Sequence, residues 1–186
     1  MAISDQNRAM TFERLLRPHL ERLYRFAFRL TGSKAEAEDL FQDVLVKLFE
    51  KLDELVEIEE PGSWSGRVMY NHFVDNRRRF ARQRLVNIDE GQLPPGGVDS
   101  MPAADNPERN AERLDDITRL DQALAALSEE HRIVILLHDT EGYKLKEIQE
   151  ITGDPVGTIK SRLHRARARL RDLLSGGGTF SDRDAC

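Results

Sequence analysis

Apolar residues recur with a period of about 3.6 through most of this chain, and that spacing commits it to helices. Phe12, Leu15, Leu16, Leu20, Leu23, Phe26, Ala27 and Leu30 share one broad stripe, with Thr11 ahead of them as the expected N-cap. The stripe stops at LTGS, where Gly32 offers a C-terminal stop. Ser33 then opens SKAEAEDLFQDVLVKLFEKL, whose inner face is Leu40, Val44, Leu45, Leu48 and Leu52. After a break at EEPGSW, a third helix, SWSGRVMYNHFVDNRRRFARQR, buries Trp64, Val68 and Phe73 before turning basic. No strand pattern and no internal repeat appear, so the expected fold is all-α.

Residues 87–110, NIDEGQLPPGGVDSMPAADNPERN, keep no period and are dominated by Pro, Gly, Asp and Asn. They read as a flexible linker between two small helical domains, 1–86 and 111–175. A Gly-rich tail covers 176–186.

The formal net charge is −5, but it is unevenly spread. Residues 61–84 hold six Arg against one Asp, and 144–174 hold eight Lys/Arg against four acids. Residues 36–60 carry ten acids against two Lys, and 85–130 carry eleven acids against three Arg. Two basic islands on acidic ground suggest two separate footprints on a polyanion. The one cysteine, Cys186, excludes an internal disulfide and a zinc knuckle, and the five histidines are scattered. No cofactor or metal is expected. Neither a membrane span nor a secretory leader is legible, so the expected location is the cytoplasm.

The second basic island contains the most informative helix. Asp154 and Pro155 read as N-cap and first helical position. Val156, Ile159, Leu163, Ala166 and Leu170 then fall on one face, with Thr158, Ser161, Arg162, Arg165 and Arg169 opposite. Seventeen positions, 155–171, contain no acid, whereas solvated helix faces usually mix charges for i,i+4 pairing. A short helix from about Leu145 to Ile151, stopped at Gly153, precedes it, which makes a helix-turn-helix. Such a face suits the major groove, where Arg bonds guanine and Ser or Thr bonds phosphates or base edges.

YKLKEIQEITGDPVGTIKSRLHRARARLRDLL resembles the helix-turn-helix of the extracytoplasmic-function (group IV) sigma factors of bacterial RNA polymerase. PVGTIKSRLHRAR is its most specific part. LTGSKAEAEDLFQDVLVKLF is similar to that family's polymerase-binding helix, WSGRVMYNHFVDNRRR to its promoter-melting helix, and LDQALAALSEEHRIVILLHDTEGY to the lead-in to its second domain.

The resemblance implies a non-enzymatic initiation factor with core RNA polymerase and promoter DNA as partners, and an anti-sigma factor as a further one. Asp39, Leu40, Gln42, Asp43 and Val44 would meet the coiled coil of the largest polymerase subunit. By pattern alone, Asp39 and Asp43 fit an ordinary acidic helix face equally well. Arg67, Tyr70, Asn71, Asn76, Arg77 and Arg78 would face the −10 element. Thr158, Lys160, Ser161, Arg162, Arg165 and Arg169 would read the −35 element. The acidic linker is either a solubilising tether or a nucleic-acid imitator threaded through the polymerase.

Three positions depart from the family pattern. Gly66 stands where an aromatic is common, which puts strand separation in question. Gln149 replaces a small Ala and Thr152 an apolar residue, so the helix-turn-helix packing is either loosened or accommodated by local shifts. Two other readings stay open: a stand-alone helix-turn-helix regulator, which needs a dimer to span two half-sites, and a sigma-like module that binds an anti-sigma factor without DNA.

Overall fold

A computed structural model describes residues 5–86 and 110–175. Apart from Asn110, which begins a helix, the expected linker lies outside the described residues, as does the tail.

The N-terminal half runs α1 (Asp5–Leu16), a 3₁₀ turn (Arg17–His19), α2 (Leu20–Thr31), α3 (Lys34–Glu50), α4 (Leu52–Val56) and α5 (Pro61–Val86). The C-terminal half runs α6 (Asn110–Ala125), α7 (Glu129–Ile135), a π turn (Leu136–Thr140), α8 (Leu145–Thr152) and α9 (Val156–Ser175). Among the described residues there is no strand.

The expected first helix is two helices, and Thr11 lies inside α1 rather than capping it. Pro18 makes the break: it lacks an N–H and its ring collides with the preceding turn, so the chain tightens to 3₁₀ before α2 resumes. Gly32 ends α2 as expected, in the left-handed conformation (φ 73°) with its N–H on Phe28 O at 2.7 Å. Ser33 precedes α3 in extended backbone, but its side chain makes no cap bond. Thr31 Oγ1 accepts the Ser33 N–H instead, at 3.4 Å.

Leu23, Phe26 and Leu30 of α2 pack against Leu40, Val44 and Leu48 of α3, closed by Leu52 and Leu55 of α4 and Met69 and Phe73 of α5. Trp64 and Val68, expected inside, are half-buried against this core. In the other half, Leu124, Val134, Ile135, Leu136 and Leu137 enclose Ile148, Ile159, Leu163 and Ala166. Burying each such Leu, Ile or Phe contributes about 1.5–3 kcal/mol, so the two clusters dominate stability.

The clusters are continuous, and the two halves touch directly. Arg29 of α2 donates from Nε to Asp121 Oδ1 of α6 at 2.8 Å, with both side chains largely buried. The Tyr143 hydroxyl donates to the Ser63 carbonyl at the start of α5. Arg22 lies 3.7 Å from the buried Glu141 carboxylate.

Candidate nucleic-acid and polymerase interfaces

The helix-turn-helix is α8 and α9. Gly153 ends α8 with φ 79° and its N–H on Gln149 O at 2.8 Å, a turn that strains any residue with a Cβ. α9 begins at Val156, with Pro155 O accepting the N–H groups of Thr158 and Ile159. Asp154 is therefore not the N-cap; its carboxylate takes Arg162 Nη1 at 2.5 Å. Ile159, Leu163 and Ala166 are buried, while Val156 and Leu170 are half-buried on the same stripe.

On the opposite face Lys160, Ser161, Arg165 and Arg169 are exposed and Thr158 is half-exposed. Arg165 lies back along the helix, with Nε 3.4 Å from Ser161 O and Nη2 3.4 Å from Ser161 Oγ. Arg162 stands apart from this group. Only 20 % of its side chain is exposed, between Asp154 and Glu130, the latter at 3.2 Å.

Gln149 and Thr152 do not loosen the motif. Gln149 is exposed, and the residue packed inward from α8 is Ile148. Thr152 Oγ1 donates to Ile148 O at 2.8 Å and accepts the Asp154 N–H at 3.2 Å, so it satisfies the turn.

On α3, Asp39, Gln42 and Asp43 are exposed. Leu40 and Val44 are core residues, 4 % and 0 % exposed, and serve any docking surface only by holding the helix. On α5, Arg67, Asn71, Arg77 and Arg78 are exposed and Asn76 is half-buried. Tyr70 is 6 % exposed, contrary to a base-facing position. Burial pushes its hydroxyl up to about 12; Asp154 and Glu129 add to the rise, and Arg78 and Arg162 oppose it. The guanidinium of Arg77 lies 5.5 Å over the Phe73 ring. An open groove of about 630 Å³ brings the two sets together: Asp39, Gln42 and Asp43 line it with Asn76, Arg77 and Phe80.

Three groups escaped sequence reasoning. His72 is buried between Lys47 and Asp43, at 2.8 and 3.0 Å. Arg167, on the acid-free helix, is held by both oxygens of Asp139, at 2.5 and 3.0 Å. These bonds keep the Asp139 carboxyl below its ordinary value. Glu141 is buried, and burial raises its pKa against the pull of Arg22 and Arg29. No local spacing signals these pairings, because the partners lie 25 or more residues apart.

Among the described residues no His, Cys, Asp or Glu cluster could hold a metal, and no helix is long and apolar enough to cross a membrane.

A helix-turn-helix with a basic outer face thus follows a helical domain with an acidic helix and a basic one. Residues 15–83 match the family model for sigma-70 region 2, and residues 117–170 match that for sigma-70 region 4. The extracytoplasmic-function (ECF) RNA polymerase sigma factor SigL of Mycobacterium tuberculosis is 33 % identical over 157 residues, 84 % of each chain. SigE of Mycolicibacterium smegmatis, also an ECF RNA polymerase sigma factor, is 36 % identical over 180 residues, 94 % of this chain. This chain spans 65 % of the length of that relative. Among solved structures, the sigma factor RpoE from Bartonella quintana, in complex with the anti-sigma factor NepR, superposes with a TM-score of 0.63 at 29 % identity. That match covers 90 % of this chain and 98 % of the other. The chain belongs to the ECF RNA polymerase sigma factors, a family of transcription initiation factors.

Proposed function

We propose that this chain binds core RNA polymerase and carries it to two-part promoters, and that it performs no catalysis itself. Asp39, Gln42 and Asp43 present the docking surface, on a helix anchored by Leu40 and Val44. The −35 element is read in the major groove by Thr158, Lys160, Ser161, Arg165 and Arg169, joined by Arg162 once its two acids let go. Arginines and lysines hold phosphates there, while bidentate Arg contacts discriminate bases. The −10 element meets Arg67, Asn71, Asn76, Arg77 and Arg78, with Tyr70 available to unstacked bases when it is uncovered. Residues 87–110 connect the two domains, and the protein works in the cytoplasm. An anti-sigma factor is a further partner, a reading supported by the complex in which the Bartonella relative was solved.

The observation that carries this reading is the acid-free outer face of α9 behind the left-handed turn at Gly153. A stand-alone regulator would leave the basic edge of α5 without a role. The test is reconstitution with core polymerase on a library of promoter fragments. Transcripts from a defined two-part promoter are expected, and their absence with a folded protein would refute the assignment.

A further inference from the structure

One buried imidazole touches both candidate surfaces of the N-terminal domain. Only 8 % of the His72 side chain is exposed, and its ring joins α5 to α3. Lys47 Nζ lies 2.8 Å from Nδ1, Asp43 Oδ2 lies 3.0 Å from Nε2, and Asn76 Nδ2 lies 3.4 Å from that same Nε2. Asp43 belongs to the proposed docking set and Asn76 to the −10 set, and both open onto the groove between the helices.

Lys47 decides the tautomer. An ammonium carries three donors and no acceptor, so Nδ1 must offer its lone pair and the ring proton sits on Nε2. Nε2–H then points to the Asp43 carboxylate and, beside it, to the Asn76 amide. Two N–H groups cannot bond each other, and an Asn amide fills the same volume in either sense. The network therefore settles with Asn76 Oδ1 turned inward, sharing the ring proton, and Nδ2 turned out to the groove. The reverse sense would set donor against donor in a half-buried site and leave a hydrogen bond unmade.

That choice has a chemical meaning on DNA. A free Asn binds as donor and acceptor together, as it does across N6 and N7 of adenine. An Asn whose oxygen is already engaged can only donate. Where T carries O4 and G carries O6, the bases A and C carry amino groups, which are donors themselves. A donor-only Asn76 thus pairs with the keto bases and meets the amino bases N–H to N–H.

We infer that His72, fixed by Lys47, is a positioning residue that turns the Asn76 amide nitrogen outward and so makes one position of the −10 element select T or G over A or C. This rests on the −10 assignment of Asn76 given under Proposed function.

The experiment uses holoenzyme reconstituted from core polymerase and the full chain, at concentrations of the chain that saturate core for every variant. Capture of complexes from a promoter library randomised across the −10 element and constant at −35 gives a base preference for each position. For wild type, one position should favour T and G over A and C about fivefold, the worth of a single hydrogen bond. Asn76→Asp, which can only accept, should invert that position towards A and C and leave the others as they were. His72→Leu should flatten the same position alone, and His72→Gln, whose amide N–H can stand in for Nε2–H, should restore part of the preference. A uniform loss of complex by His72→Leu, with its base profile kept, would make His72 merely structural and overturn the inference. An Asn76→Asp profile without inversion, the result expected of a phosphate contact, would overturn it too. A wild-type holoenzyme that enriches no −10 sequence would instead sink the promoter assignment itself.

Discussion

His72 reaches Asp43 from the neighbouring helix, Nε2 to Oδ2 at 3.0 Å, while Lys47 Nζ sits 2.8 Å from its other nitrogen. Lysine can only donate, so Nδ1 accepts and Nε2–H donates to the carboxylate. The imidazole thus fixes the direction of an exposed acid on the proposed docking helix. His72→Leu should keep the protein helical yet weaken core-polymerase binding about fivefold, the equivalent of about 1 kcal/mol for one lost hydrogen bond. Asp43→Arg should cost more. Undiminished pull-down of core enzyme by both variants would remove Asp43 from the interface.

Arg165 is exposed and opposite the Ile159 and Leu163 seam. Arg165→Glu should leave unfolding within about 0.5 kcal/mol of wild type, as exposed substitutions usually do. Arg165→Ala should reduce the salt slope of promoter binding by about one if it meets a phosphate, or relax one −35 position if it meets a base. Holoenzyme binding across a salt series separates the two outcomes, and no change in either would take α9 out of DNA recognition.

Glu141 gives the fold a pH signature. Its folded-state pKa is raised by burial, so the cost of its charge is absent below the ordinary glutamate value and complete above the raised one. Stability therefore falls as pH rises through that window. Arg22, Arg29 and the Tyr143 hydroxyl are the groups that face it. Glu141→Gln should melt higher than wild type at neutral pH, with the two curves converging in acid. Parallel curves at all pH values would show that the carboxylate is not buried in solution.

Asp139 has the opposite sign. Its lowered pKa means that its pairing with Arg167 stabilises the fold above the ordinary aspartate value and is lost as pH falls through the lowered one. The two side chains are 34 % and 47 % exposed, so solvent screening limits the contribution to about 0.5–1 kcal/mol. Urea midpoints of Asp139→Asn should lie below wild type at pH 7 and converge with it as pH falls through the lowered value.

Most helices were legible because period and terminators agreed, as at Gly32 and Gly153. Pro18 was overlooked because Leu20, Leu23 and Phe26 continue the stripe across the break, and hydrophobic phase conceals a short 3₁₀ turn. Leu40, Val44 and Tyr70 were placed on binding faces by resemblance, whereas burial depends on what packs above them. His72, Arg167 and Glu141 depend on partners far away in sequence, which local patterning cannot register. Glu129, Glu141 and Glu150 meet Arg77, Arg22 and Arg67 only through the fold.

The π turn has a consequence in counting. Glu141 N–H bonds Leu136 O and Tyr143 N–H bonds Leu137 O, at 2.9 and 3.0 Å, so the helix carries a residue more than its pitch needs. Each residue advances a helix by about 100°, and this surplus one sets the azimuth at which Glu141 and Tyr143 leave it. The alignment of the two domains is thereby stored as a number of residues rather than as a particular side chain. Substitutions within Leu136–Thr140 preserve that number. Deleting one residue would re-aim Glu141 and Tyr143 and shift the buried Leu136 and Leu137 out of register with α8 and α9.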